Sequence, residues 1–320
     1  MWKFSSLKSA AKRILRSIGY RRLSVLENRT PKADIPSMIM SDEIAFFKES
    51  AARYVGREGA IVDLGCWLGS TSIALAQGIL SRSFSGNNPQ EKVLGFDIFM
   101  WEQWMPARVP YCLYHPGESF LPEARRVVRD HGGGTVELIR ADLALYEWTA
   151  GQIKILLVDA MKSEKLARQI TRNFYPSLVT GSLLIHQDFK HFYTSWIHIL
   201  QYRLSQYFRL YRSVVGTGTA AFEVLAPIPR EVVDRATDFT RIPDDQIEAS
   251  FRYSLDLVGS DDYVNVAAAH VMQYVHLGRK DRASETLEMY RSLGISEKGE
   301  FLKMLSCLEP SDDRKQRTMC

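Results

Sequence analysis

A chain of 320 residues that is 46% hydrophobic and 24% charged can bury a full core with an appendage to spare, which excludes a disordered or fibrous polypeptide. Its net charge of +4 is uneven: Lys3, Lys8, Lys12, Arg13, Arg16, Arg21 and Arg22 place +7 in the first 23 residues, so the rest carries −3, and a generally basic, nucleic-acid-binding surface is not indicated. No run approaches the roughly 20 apolar residues that span a bilayer, no secretion signal opens the chain, and Cys66, Cys112, Cys307 and Cys320 lack any C-x-x-C pair, so neither a zinc site nor a disulfide framework is suggested and a cytoplasmic location is the default.

Residues 1–23 set Phe4, Leu7, Ala11, Ile14, Leu15 and Ile18 at helical spacing between basic residues. Such a basic amphipathic helix either rests on an anionic membrane surface, serves as a presequence, or packs on the main domain with its charges in water. Ser24 to Pro36 reads as a connector, and Ser41 to Gly56 as a helix with Ser41 as its N-cap. The run Ala60-Ile61-Val62-Asp63 then predicts a strand, Gly65 and Gly69 a turn, and Ser70 to Gly78 a helix. Glycines let bare backbone approach a ligand, and the free N–H groups of the following helix point at the same place. An acidic Asp63 at that turn repels a phosphate but suits an ammonium, which S-adenosylmethionine carries beside its sulfonium.

Asp63-Leu64-Gly65-Cys66-Trp67-Leu68-Gly69 resembles the first motif of class I S-adenosylmethionine-dependent methyltransferases, with Trp67 at the usual middle glycine. A Gly-x-Trp-x-Gly turn is most similar to the macrocin O-methyltransferase family, which acts on sugar hydroxyls of natural products. The strand Val93 to Phe96 ends at Asp97, placed to accept from a ribose diol, and Asp97-Ile98-Phe99 resembles the family's Asp-x-Phe at that strand end. Residues 99–120 carry Phe99, Trp101, Trp104, Tyr111, Tyr114, His115 and Phe120 broken by prolines, which suggests an acceptor-binding lid, a satellite hydrophobic cluster or a subunit interface. The third strand, Val136 to Ile139, delivers Asp142-Leu143; by the resemblance Asp142 bonds the adenine amino group, and by composition it is equally a helix cap.

Ile153 to Val158 predicts a central parallel strand ending at Asp159, and Gly181 to Ile185 a fifth strand ending in His186-Gln187-Asp188. The family binds a divalent metal through an aspartate at the fourth strand and two at the fifth. Gln187 replaces one of these, so Asp159, Gln187 and Asp188 form a weakened magnesium site, the alternative being His186 or His191 as general base with Asp188 beside it. His198 on the next helix reads as structural. Two β-rich runs, Arg209 to Val215 and Ala220 to Leu225, flank Gly216-Thr217-Gly218-Thr219 as a hairpin.

The expected architecture is therefore α/β: a Rossmann-like class I methyltransferase fold, a mostly parallel seven-stranded sheet with a terminal antiparallel hairpin, plus a C-terminal helical appendage. The expected division is residues 1–40 as basic segment and connector, 41–228 as methyltransferase domain, 229–310 as helical region and 311–320 as disordered tail. Within the helical region Val264 to Tyr274 and Ala283 to Leu293 form a hairpin resembling part of a tetratricopeptide repeat, too short for a solenoid. The resemblance implies cofactor contacts from Asp63, Gly65, Trp67, Gly69, Ser70, Asp97, Ile98, Asp142, Leu143 and Asp159, with S-adenosylmethionine and magnesium as cofactors. The expected partner is a small-molecule acceptor rather than nucleic acid, with peripheral membrane contact through the N-terminal helix and a homo-oligomer left open. Trp67 and Gln187 motivate a rival, a degenerate binding or scaffold protein acting through the helical C-terminus. The missing G-x-G-x-x-G and the terminal hairpin argue against a nicotinamide oxidoreductase.

Overall fold

The computed structural model describes residues 35–82, 91–112, 114–295 and 297–308. The expectations for the basic segment 1–23 and the tail 311–320 lie outside these residues. Helix α1 (Ser41–Tyr54) leads into β1 (Ala60–Leu64), the glycine turn and α2 (Ser70–Arg82). Its start is closed by Glu43, whose carboxylate accepts the Met40 amide at 2.8 Å, so the cap falls at Met40, one residue before the Ser41 expected. Then follow β2 (Val93–Asp97), α3 (Leu121–His131), β3 (Val136–Arg140), β4 (Ile153–Val158), α4 (Glu164–Phe174), β5 (Leu178–His186), α5 (Trp196–Arg203), β6 (Phe208–Ser213) and β7 (Ala220–Val224).

These strands form one seven-stranded sheet in the order β3-β2-β1-β4-β5-β7-β6. β1 to β5 are mutually parallel, and β7 runs antiparallel to both β5 and β6. All six residues of β4 are buried, as a strand covered on both faces requires.

Side-chain alternation sorts the strand residues onto two faces. Ile61, Val93, Ile155, Leu157, Leu183 and Ile185 pack with α1 and α2. Val62, Leu64, Phe96, Leu156, Val158 and Leu184 enter the main core on the other face. By parity Asp63, Asp97 and Asp159 belong to the α1/α2 face, whereas His186 follows Leu184 into the main core.

Beyond the hairpin lie α6 (Arg230–Ala236), α7 (Asp244–His276), α8 (Lys280–Ser292) and α9 (Gly299–Leu308). The tract 244–276 is broken at Gly259, whose φ of 69° and ψ of −171° are non-helical. Val264 to Tyr274 is thus the second half of a longer tract than the sequence suggested. Phe251, Val266, Tyr274 and Phe301 of these helices share the main core with Val62, Leu156 and Phe222 of the sheet. An internal ion pair ties them down: Lys190, fully buried after β5, bonds Asp262 Oδ2 at 2.6 Å, the Val214 carbonyl at 2.7 Å and Ser213 Oγ at 3.1 Å. Among the described residues no helix is long and apolar enough to cross a membrane.

Candidate active site

The carboxyl ends of the parallel strands gather the aspartates marked by the sequence. Asp63 is fully buried at the end of β1, and its Oδ2 accepts Thr71 Oγ1 at 2.6 Å and Ser72 Oγ at 2.5 Å from the first turn of α2. That approach depends on Gly95 of β2, where an added Cβ would come within 2.8 Å of Ser72 Oγ. Oδ1 of Asp63 is buried and has no hydrogen-bond partner among the described residues. Burial lifts the Asp63 pKa to about 6, the two hydroxyls oppose the rise, and neighbouring Asp97 adds to it.

Gly65 has a φ of 87°, and a Cβ there would meet the Asp159 carbonyl at 2.5 Å, so the turn rests directly on the end of β4. Gly69, with φ of 91°, packs as closely on Val128 of α3. Ser70 opens α2 at the turn and is half-buried. Between the glycines Trp67 takes a left-handed φ of 47° and donates its amide to Asp97 Oδ2 at 3.0 Å. Phe99, at φ of 52°, donates its amide to Asp97 Oδ1 at 2.7 Å. Asp97 is thereby held by backbone on both oxygens. Burial still pushes its pKa upward against those two bonds. Ile98 beside it is exposed.

The aromatic segment folds onto this turn. Trp101, Phe99, Phe120, Met105 and Cys112 form one buried cluster with Cys66, Trp67 and Leu68. The satellite-cluster alternative therefore describes Trp101, which is 1% exposed; Trp104, 39% exposed and 5.8 Å from the Trp67 ring, faces outward.

Asp142 lies beside this edge, after β3. It is exposed, its Oδ1 accepts the Ala144 amide at 2.9 Å in an Asx turn, and its carbonyl takes the Leu145 and Tyr146 amides. Leu143 turns away into the main core.

On the other side of the turn the structure corrects two expectations. The first concerns metal. Lys162, which the sequence reading passed over, puts its ammonium between the two carboxylates proposed as ligands, 2.6 Å from Asp159 Oδ1 and 2.5 Å from Asp188 Oδ2. A cation already bridges them. Gln187 Oε1 is buried without a partner, and among the described residues no group of three or more His, Cys, Asp or Glu side chains is arranged to hold a metal ion. The donor set of Asp159, Gln187 and Asp188 does not fit magnesium. Burial raises Asp159 to about 7 against the pull of Lys162, while Lys162 and His191 overcome burial at Asp188 and hold it below its usual range. Desolvation opposes the charge on Lys162, yet the two carboxylates outweigh it and raise its pKa. The signal available in the sequence was the i,i+3 spacing of Asp159 and Lys162 beyond the fourth strand.

The second correction concerns His186. It is 1% exposed, its Nε2 lies 3.0 Å from the Tyr175 hydroxyl, and it packs edge-on to Phe222. Burial drives its pKa down to about 3, so it is a neutral core residue and cannot exchange protons with a bound molecule. Parity on β5 sends it to the face opposite Asp63 and Asp159. His191 instead lies beside Asp188: its ring stacks on Tyr193 at 5.3 Å and 10°, and Tyr193 Oη donates to Asp188 Oδ1 at 3.3 Å. His198 is fully buried against Phe189 and Phe251, as the sequence suggested.

No family model matches the chain, and no curated protein matches it. Among solved structures it is similar to the O-methyltransferase NovP, with 17% identity over 59% of this chain and 82% of that one and a TM-score of 0.46. It is also similar to the calicheamicin methyltransferase CalS11, with 14% identity over 64% of this chain and 90% of that one and a TM-score of 0.43. An rRNA methylase from Streptococcus thermophilus gives 18% identity, 59% and 99% coverage and a TM-score of 0.37. The chain's own sheet defines its architecture: the order β3-β2-β1-β4-β5-β7-β6 with antiparallel β7, and a glycine turn after β1, is the Rossmann-like class I methyltransferase fold.

Proposed function

We propose that the chain is an S-adenosylmethionine-dependent methyltransferase acting on a hydroxyl of a small polar acceptor, with sugars or glycosylated natural products as the class suggested by the turn sequence. The observation that carries this is the buried, unpartnered Asp63 Oδ1 within a row of desolvated carboxylates at the glycine turn. Desolvated carboxylates with raised pKa values call for a cationic ligand. When bound, S-adenosylmethionine supplies a methyl group on a sulfonium, already a good leaving group. Asp63 would hold its ammonium, Asp97 the ribose hydroxyls and Asp142 the adenine amino group, with Gly65, Trp67, Gly69 and Ser70 bordering the backbone cradle and Ile98 offering an apolar face.

On the acceptor side, Lys162 would set positive charge against an oxygen that is losing its proton, and His191 would take that proton. Asp159 and Asp188 hold Lys162 in place. Alignment and exclusion of water are the remaining work. Calorimetric titration with S-adenosylhomocysteine tests the assignment, binding without added magnesium being expected. One observation favours the degenerate scaffold instead: the Lys162 bridge closes the carboxylate pair on itself. A folded chain that fails to bind S-adenosylhomocysteine would establish that reading.

A further inference from the structure

The last helix reaches back to the acceptor side of the site. Glu300, on the first turn of α9, is buried; its Oε2 stands 3.1 Å from His191 Nδ1 and accepts the Phe192 amide at 3.2 Å, while Lys303 bonds its Oε1 at 2.7 Å. His191 is fixed from other sides as well. Tyr193 stacks on its ring, and its amide donates to the Asp188 carbonyl at 3.2 Å. Its Nε2 edge packs close to Gly218 of the hairpin turn, where an added Cβ would come within 2.6 Å of that nitrogen, and the His191 side chain stays 30% exposed.

An exposed carboxylate beside an imidazole would be screened and free to rotate. Glu300 is desolvated and engaged at both oxygens, so it presents one oxygen to one ring nitrogen. The approach is a charge contact rather than an aligned hydrogen bond, and a carboxylate at that distance from Nδ1 favours the proton there and leaves Nε2 as the accepting atom. We propose that Glu300 is a positioning residue of the acceptor site: it fixes the orientation and Nδ1–H tautomer of His191 so that Nε2 receives the proton of an acceptor hydroxyl, an inference that rests on the methyltransferase reading above. As the oxygen–methyl bond forms, the electron pair of the methyl–sulfur bond leaves with the thioether and the hydroxyl proton passes to Nε2. Glu300 neutralises the resulting imidazolium until solvent takes the proton. The C-terminal helices thereby complete the site rather than append to it.

The charges around the imidazole agree with this arrangement. Burial lowers the His191 pKa, Glu300 and Asp188 raise it, Lys162 opposes them, and the net direction is upward. Burial would raise Glu300, but His191 and Lys303 hold it down to about 2.

The test uses the full chain labelled with 15N-histidine, which contains seven histidines, with His191 assigned by the signal lost in His191→Gln. Expected in the wild type is a protonated Nδ1 and a free Nε2. In Glu300→Gln the tautomer preference weakens and the titration midpoint falls by roughly one unit, the size of one neighbouring charge. If Glu300→Gln does not fold, Glu300→Asp, which withdraws the charge by one methylene, gives the same readout. A His191 signal unchanged in both overturns the proposal. Titration of the same samples with S-adenosylhomocysteine separates the two questions: equal binding by wild type and variant is expected, whereas a folded wild type that does not bind overturns the underlying methyltransferase reading.

Discussion

The Trp67 amide donates to Asp97 Oδ2, and the geometry that allows it is a tryptophan at positive φ. Phe99 grips the other oxygen from the same kind of backbone. Left-handed backbone costs a non-glycine residue about 1–2 kcal/mol, and among the described residues Trp67 and Phe99 are the non-glycine residues that adopt it. Strain is therefore concentrated on the two amides that orient one carboxylate. Asp97→Asn turns an NH2 toward one of these donors, and a loss of about 1–3 kcal/mol in urea denaturation is expected. Binding of S-adenosylhomocysteine should weaken at least tenfold, about 1.4 kcal/mol.

Removing Lys162 should create what the wild type lacks. In Lys162→Ala two desolvated carboxylates face each other unneutralised, and a divalent cation becomes their natural partner. Manganese binding, followed by electron paramagnetic resonance, is expected in the variant and not in the wild type, whose S-adenosylhomocysteine affinity should not respond to a chelator.

Asp63 sets a pH dependence. Its folded pKa of about 6 lies above the ordinary 3.8, so ionisation works against the ligand-free fold: the stability of the protonated group is present at low pH and is lost as pH rises through 6. The difference amounts to about 3 kcal/mol at neutral pH. An ammonium placed on Oδ1 relieves it. S-adenosylhomocysteine affinity should therefore rise between pH 5 and pH 7.5, with proton release near pH 6 detectable by calorimetry in buffers of different ionisation enthalpy.

The two tryptophans of the aromatic segment should behave oppositely. Trp101→Ala empties a buried cluster, and a cost of about 3–5 kcal/mol is expected. Trp104→Ala removes a ring that is already outside, and denaturation should shift by less than about 1 kcal/mol.

Lys190 and Asp262 form the most deeply buried ion pair described, with side chains 0% and 1% exposed. Lys190→Met strands a buried carboxylate, and Asp262→Asn a buried ammonium. Each should cost about 3–5 kcal/mol. The double variant should lose much less than the two singles combined, which thermal unfolding of all four proteins would measure.

The sheet was legible in the sequence because each strand announces itself by an apolar run and ends on a marked residue. Asp63, Asp97, Asp142, Asp159 and Asp188 could be placed at strand ends without coordinates, and the hairpin could be read from Gly216 to Thr219. His186 was misjudged although the signal was present: two residues after Leu184, it had to share that residue's face of β5. Lys162 and Glu300 were missed for a different reason. Lysines and glutamates three residues from an opposite charge are usually solvated surface pairs, and only the fold brings Glu300 within reach of His191, 109 positions earlier in the chain. The first half of α7 was hidden by Gly259, which breaks the periodic pattern where it breaks the helix.

The place of β7 has a consequence for the growing chain. Among the described residues β6 pairs only with β7, and β7 lies between β6 and β5, so the sheet cannot be assembled in the order of synthesis. Until Val224 has been made, the open edge of β5 carries unpaired backbone groups, which invite association with other chains. The hairpin that covers this edge carries Val214, and with it the carbonyl that receives Lys190. Closing that edge thus also begins the enclosure of a charge that waits for Asp262, a further 38 residues along the chain.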